Sequence, residues 1–170
     1  MMLFLDTEWA DVLASELVSL ALVGRDERFI FYAERDPLPD KPTDFVRAAV
    51  YPLLKRGDVA MPDPIFAARL QQFIADVAEA TGEKPTIGYD YWADKAFFEY
   101  AYFGFEGSGP SSVPVGYFDL KELNPHYALG TESYFRDNPV AAERRHSALI
   151  DAKAALAGYR AAVKALAYGY

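Results

Sequence analysis

The first thirty-three residues constrain the fold most. Residues 2–5, Met-Leu-Phe-Leu, form a short apolar run suited to a buried strand. Residues 16–23, Glu-Leu-Val-Ser-Leu-Ala-Leu-Val, read as a second strand, and Gly24-Arg25-Asp26 supplies a turn. Arg28-Phe29-Ile30-Phe31-Tyr32-Ala33 then reads as a third. Short links and β-branched or aromatic residues predict an antiparallel meander.

Helices and strands alternate beyond it. Residues 36–42 carry three prolines and predict a loop. Thr43 or Asp44 is placed to cap a helix running to about Leu54. Asp63-Pro64 opens another, with Ile65, Phe66, Leu70, Phe73, Ile74 and Val77 at three- and four-residue spacing, and Thr81-Gly82 closes it. Residues 85–89 predict a short strand, 92–103 an aromatic-rich helix, 104–116 a glycine-rich loop and 115–120 a last strand. Residues 121–139 read as irregular, with weak helical signals. From about Ser147 to Ala167 the apolar positions Leu149, Ala152, Leu156, Tyr159, Val163 and Leu166 follow the 3.6-residue period of a helix. This order predicts an α/β domain with a mixed sheet, its first three strands antiparallel, flanked by helices. The antiparallel opening argues against a simple doubly wound sheet.

The 170 residues fit one domain, 1–170, and 52% of them are hydrophobic, enough for a sizeable core. Cysteine is absent, which excludes disulfides, thiolate metal sites and thiol nucleophiles and fits a cytoplasmic location. The N-terminus has no basic segment before its five-residue apolar run, and no stretch nears the roughly 18 apolar residues of a spanning helix. Neither export nor membrane insertion is expected. A net charge of −8 argues against a protein that coats nucleic acid. An enzyme that grips its substrate through bound Mg²⁺ escapes part of that objection, because its ligands add to the acidic count.

Three carboxylate motifs carry the chemistry. In Leu5-Asp6-Thr7-Glu8-Trp9, an extended chain points Asp6 and Glu8 to one face, about 7 Å apart. Two such charges at the end of a buried strand repel unless a divalent cation joins them, and oxygen ligands suit Mg²⁺ or Mn²⁺. A solvated strand end explains the tripeptide as readily. In Trp92-Ala93-Asp94-Lys95-Ala96-Phe97-Phe98, Asp94 is an acid in an aromatic segment, and a helix cap is the plainer role. Asp90, four residues earlier, competes for either role. In His146-Ser147-Ala148-Leu149-Ile150-Asp151-Ala152, Ser147 is a candidate cap with Asp151 a turn inside the helix, where the dipole favours an acid. His146, one of only two histidines, would stand in the preceding loop with the freedom a general base needs.

The order of these motifs, D-x-E near the N-terminus, Asp before paired aromatics mid-chain and H-x₄-D at the last helix, resembles the DEDDh exonucleases of the ribonuclease H-like fold. That family includes ribonuclease T, oligoribonuclease and polymerase proofreading subunits. His146 to Ala152 is similar to its H-x-A-x-x-D-A motif, with both alanines, and Glu16 to Ala21 to its second strand. The D-T-E-W start, the E-L-V-S-L run and the G-Y-D-Y-W-A-D stretch look closest to the small mycobacterial-type exoribonucleases called ribonuclease AS. The likeness spans roughly residues 2–160 and is thinnest over 37–85 and 104–140.

The resemblance implies a 3′→5′ exoribonuclease that releases nucleoside 5′-monophosphates from single-stranded RNA, using two Mg²⁺ or Mn²⁺ ions about 4 Å apart. Asp6, Glu8 and Asp151 would hold one ion, and Asp6 with Asp94 the second. His146 would take the proton of the attacking water. The family pattern selects Asp94 over Asp90 because Asp94 precedes the x-x-aromatic pair Phe97-Phe98. A homodimer is also implied. DNA or very short oligonucleotides are the alternative substrates, and a silent binding module of the same fold is the alternative of another class.

Around these motifs, Trp9 is a candidate for stacking on a terminal base, while Trp92 reads as core. Glu16 is a candidate contact to the 3′ nucleotide, with a structural hydrogen bond an equal alternative. Arg145, with Arg144 and Arg136 nearby, is placed to meet a phosphate, though a solvated basic turn is the default. His126 reads as an ordinary packed or surface residue. No G-x-x-x-x-G-K, G-x-S-x-G or HExxH pattern occurs.

Overall fold

A computed structural model of the chain describes residues 1–105 and 113–169. The inner part of the expected glycine-rich loop, residues 106–112, and Tyr170 lie outside the described residues. The protein is α/β, built on one six-stranded mixed sheet of order β4-β3-β2-β1-β5-β6.

The meander forms as the sequence predicts. β1 (Met2–Trp9), β2 (Leu17–Gly24) and β3 (Ile30–Arg35) pair antiparallel. β2 is buried along its whole length, which explains its nearly unbroken apolar run. β1 extends four residues past its apolar start and carries Asp6 and Glu8 on the strand itself. The third strand begins at Ile30, two residues later than predicted, because Arg28 is drawn into the turn by Asp26.

On the other side of β1 the sheet turns parallel, through β5 (Thr86–Tyr89) and then β6 (Gly116–Asp119). A two-residue strand not foreseen from sequence, β4 (Ala60–Met61), pairs with Glu34 and Arg35 at the far edge. The helix expected over 43–54 is a short turn at 44–45, a π-helical turn (Val46–Val50) and a 3₁₀ turn (Tyr51–Leu53), opened by Thr43, whose hydroxyl accepts from the Val46 amide.

Helices cover both faces. α1 (Asp63–Thr81) and α2 (Trp92–Tyr102) pack on one, with Leu3, Leu5, Leu20 and Leu22 of the sheet. Residues 121–139, expected to be irregular, are largely helical: a 3₁₀ turn (Leu120–Leu123), α3 (His126–Asp137) and the short α4 (Pro139–Ala142). α3 lies against α5 (Ala148–Tyr168), and α5 covers the other sheet face through Phe4, Ala21 and Val23. Among the described residues no helix is long and apolar enough to cross a membrane.

β1 thus has two differently used faces. Its odd residues join the core under α1 and α2, while Phe4 meets Tyr159 of α5, ring centroids 5.1 Å apart. Asp6 and Glu8 continue the Phe4 face, so strand alternation aims both acids at the N-terminal end of α5.

Candidate active site

Asp6, Glu8, Asp94, Asp151 and His146 converge where β1 ends, α2 begins and α5 begins. Burial first, then repulsion from Asp94, Glu8, Asp151 and Asp90, holds the Asp6 carboxyl well above the usual range. Glu8 is raised by burial and by Asp151 and Asp94. Each acid therefore feels the others through low-dielectric surroundings. Such a cluster is electrostatically unfavourable without a compensating cation.

Two carboxylate oxygens, Oδ2 of Asp6 and Oδ1 of Asp151, are buried without a hydrogen-bond partner. Buried polar atoms normally find one. Oxygen-rich ligands and orphaned anionic atoms are what a hard divalent cation requires, so the residues present fit Mg²⁺ or Mn²⁺.

Asp151 stands in the first turn of α5, and its Oδ2 accepts from the His146 backbone amide at 2.8 Å. Ser147 occupies the cap position but makes no side-chain cap bond, so the acid reaching back takes over that work. Burial raises Asp151 to about 6, against the lowering effect of the His146 amide and Arg145. His146 itself adopts φ +69°, and its ring forms a T-shaped pair with that of Phe45, centroids 4.9 Å apart. Burial and the Arg145 charge lower its pKa, so the imidazole is neutral near pH 7. Glu8, His146 and Asp151 each offer one ligand atom, all within 4.8 Å of one another.

Asp94 is 2% exposed and is the third residue of α2, inside the helix and not its cap, which is Tyr91. Its Oδ1 accepts from the Thr7 hydroxyl at 2.7 Å and the Thr7 amide at 3.2 Å. Thr7, between the two acids of β1, thereby ties α2 to the strand. Burial raises Asp94 to about 7 despite those bonds, and Asp90 adds to the rise. Asp90 follows β5, and its Oδ2 accepts from the Tyr127 hydroxyl at 2.7 Å. The parallel register of β1 with β5 pairs Phe4 with Gly88, so its continuation brings Asp90 beside Asp6.

Two adjoining clefts meet at His146. An acidic one of about 210 Å³ is lined by Asp6, Asp90, Tyr127, Arg145, His146 and Asp151. A larger, mainly apolar one of about 490 Å³ runs from Glu8 and His146 to Trp9, Val12, Phe45 and Val50. The loop between β1 and β2 forms one wall and is held by its own Asp11, which accepts from the Leu13 amide, the Ser15 amide and the Ser15 hydroxyl.

The remaining candidates divide. Trp9 lines the apolar cleft while its ring stacks on Tyr91 and Phe97 at 5.8 and 6.1 Å. Arg145 borders the acidic cleft but is paired with Glu132 at 2.6 Å. Glu16 is exposed just before β2, where its backbone carbonyl accepts from the Ala10 amide. Arg136 pairs with Asp137, and His126 begins α3. Trp92, read as core from sequence, is 62% exposed, because the first residue of α2 faces away from the sheet. The sequence missed Thr7, Phe45 and Tyr127. Thr7 could have been found from its place inside D-x-E, whereas the other two carry no local signal.

No protein-family model and no curated protein matches the chain.

Proposed function

We propose that the protein is a metal-dependent 3′→5′ exonuclease of the DEDDh type, acting on a single-stranded RNA end and releasing nucleoside 5′-monophosphates. The observation that carries this reading is the gathering of the carboxylates of Asp6, Glu8, Asp94 and Asp151, two of them with a buried unpaired oxygen, beside the His146 ring. The strand order supports it as well: an antiparallel meander whose first strand also pairs in parallel suits a ribonuclease H-like sheet.

Asp6, Glu8 and Asp151 would hold one Mg²⁺ or Mn²⁺, and Asp6 and Asp94 a second. Bound there, the ions supply the positive charge that draws in a phosphodiester and lowers the pKa of water. The protein's own groups do the rest. The neutral His146 imidazole accepts the proton of the attacking water. Asp151 fixes the His146 backbone through its Oδ2. Thr7 orients Asp94 through two bonds to one oxygen. The apolar cleft lies within the roughly 300–1,000 Å³ of small-molecule sites and would take the terminal nucleoside, with Trp9 and Phe45 as its aromatic walls. Its neighbour, the acidic cleft, would take the scissile phosphate. A net charge of −8 favours such a short grip on one strand end over a long electrostatic track.

The test is hydrolysis of end-labelled RNA, DNA and poly(A) with Mn²⁺ or Mg²⁺, comparing wild type with Asp6→Ala. Stepwise shortening from the 3′ end, lost in Asp6→Ala and with chelator, is expected. A wild type that binds Mn²⁺ yet degrades none of the three would leave a silent binding module as the reading.

A further inference from the structure

We propose that Glu8, His146 and Asp151 also form a capture site for a borderline-soft divalent cation of the zinc class, and that filling it withdraws the histidine from its work as a base. The ligand atoms of these three side chains already lie within 4.8 Å of one another. A tetrahedral ion with bonds near 2.1 Å needs neighbouring ligands about 3.4 Å apart, so a closure of at most about 1.4 Å suffices. The side chain best able to supply it is His146. It is exposed, it precedes the helix, and its ring forms a T-shaped pair with Phe45.

The ligand set decides which ion this site prefers. Two carboxylates and an imidazole supply three protein ligands from donor types that zinc accepts, with a fourth position open to the cleft. Mg²⁺ prefers oxygen in a near-octahedral shell and gains little from an imidazole. The hard-cation set proposed above uses Asp6, Glu8, Asp94 and Asp151 and leaves the ring free, whereas the zinc-class set enlists it. One pocket therefore holds two overlapping ligand sets that share Glu8 and Asp151 and differ in His146. The fixed backbone favours the second set. The His146 amide is tied to Oδ2 of Asp151 at 2.8 Å, which holds the His146 backbone and the carboxylate in one six-residue unit. The same bond leaves Oδ1 of Asp151 buried and unpartnered, so the carboxylate keeps an oxygen for an ion.

Capture does not depend on the exonuclease reading, but its inhibitory consequence rests on it. The test separates the two. Zn²⁺ and Mg²⁺ are titrated separately into the metal-free full chain by calorimetry, for wild type, His146→Gly and His146→Asn. Glycine and asparagine both tolerate the φ of +69° at this position, so folding is kept. The expected result is that His146→Gly weakens Zn²⁺ at least tenfold and changes Mg²⁺ less than twofold. Imidazole ¹⁵N resonances of His146 should shift with Zn²⁺ and not with Mg²⁺, while those of His126 stay unmoved. Added Zn²⁺ should then suppress Mn²⁺-supported hydrolysis of labelled RNA in wild type. Equal Zn²⁺ affinity in wild type and His146→Gly, or His146 resonances indifferent to Zn²⁺, overturns the proposal. His146-dependent Zn²⁺ binding by a chain that hydrolyses no nucleic acid upholds the capture site and removes the exonuclease reading.

Discussion

The backbone amide of His146 donates to Oδ2 of Asp151 across five residues at 2.8 Å. One carboxylate thus holds the loop that carries His146 with one oxygen and keeps the other, Oδ1, buried and unpaired. The two duties can be separated by mutation. Asp151→Asn retains an oxygen that accepts from the amide, so its thermal midpoint should stay close to that of wild type while hydrolysis is lost. Asp151→Ala should lose hydrolysis and, in addition, about 1 kcal/mol of stability. Equal melting of the two variants would show that the bond does not hold the loop.

The raised carboxylates make stability depend on pH in an unusual direction. Asp94 is raised to about 7 and Asp151 to about 6, with Asp6 and Glu8 raised as well. An acid whose folded pKa exceeds its unfolded value binds its proton more tightly when folded. Its contribution is full below the unfolded value and is lost as pH rises through the folded one. Between about pH 5 and 8 the chelated protein should therefore lose stability on the order of a few kcal/mol. Asp6→Asn should stabilise the chelated protein at pH 8, and Mg²⁺ should raise the wild-type midpoint far more at pH 8 than at pH 5. Urea melts at both pH values check this, and a stability that climbs with pH in chelator refutes it.

His146 predicts the acid limb of the activity profile. Burial and Arg145 lower its pKa from 6.5, so with saturating metal the rate should reach half its plateau below pH 6.5. His146→Ala should cost about 10²–10⁴-fold in kcat and remove that limb. A limb that persists unchanged in His146→Ala would assign it to the carboxylates.

α3 and α5 touch at their glycines. A Cβ at Gly158 would lie 2.4 Å from the Thr131 hydroxyl and 2.8 Å from the Tyr127 carbonyl and ring. Gly158→Ala should destabilise by roughly 1–3 kcal/mol and displace Tyr127, whose hydroxyl holds Asp90. At Gly57, where a Cβ meets nothing within 4 Å, only backbone strain at φ +63° remains, so Gly57→Asn should cost less. Thermal denaturation of the two variants makes the comparison.

The same glycines explain where sequence reading fell short. Gly130 interrupts the pattern over 121–139 and makes the stretch look irregular. Its cause is tertiary, since a Cβ there would fall 2.5 Å from the Ala161 side chain. β4 is equally invisible, because only pairing with Glu34 and Arg35 makes Ala60–Met61 a strand. By contrast β1, β2 and α5 were legible, since burial on one or both faces writes a period into the residues themselves. The acids of the site were legible through their order along the chain. What positions them was not: Thr7 under Asp94 and Phe45 against His146 are contacts between distant elements.

The self-contained hydrogen bonding of Asp11 has one more consequence. The acids stand on strands and helices, whereas Val12, 87% exposed at the tip of that loop, walls the neighbouring cleft. On the proposed exonuclease reading, recognition and chemistry would occupy separable modules. Grafting a different sequence between Ala10 and Glu16, with Asp11 and Ser15 retained, should re-tune which terminal residue is accepted while cation affinity and maximal rate on a permissive substrate hold steady. The architecture thus offers selection, natural or directed, a dial that turns without disturbing the engine.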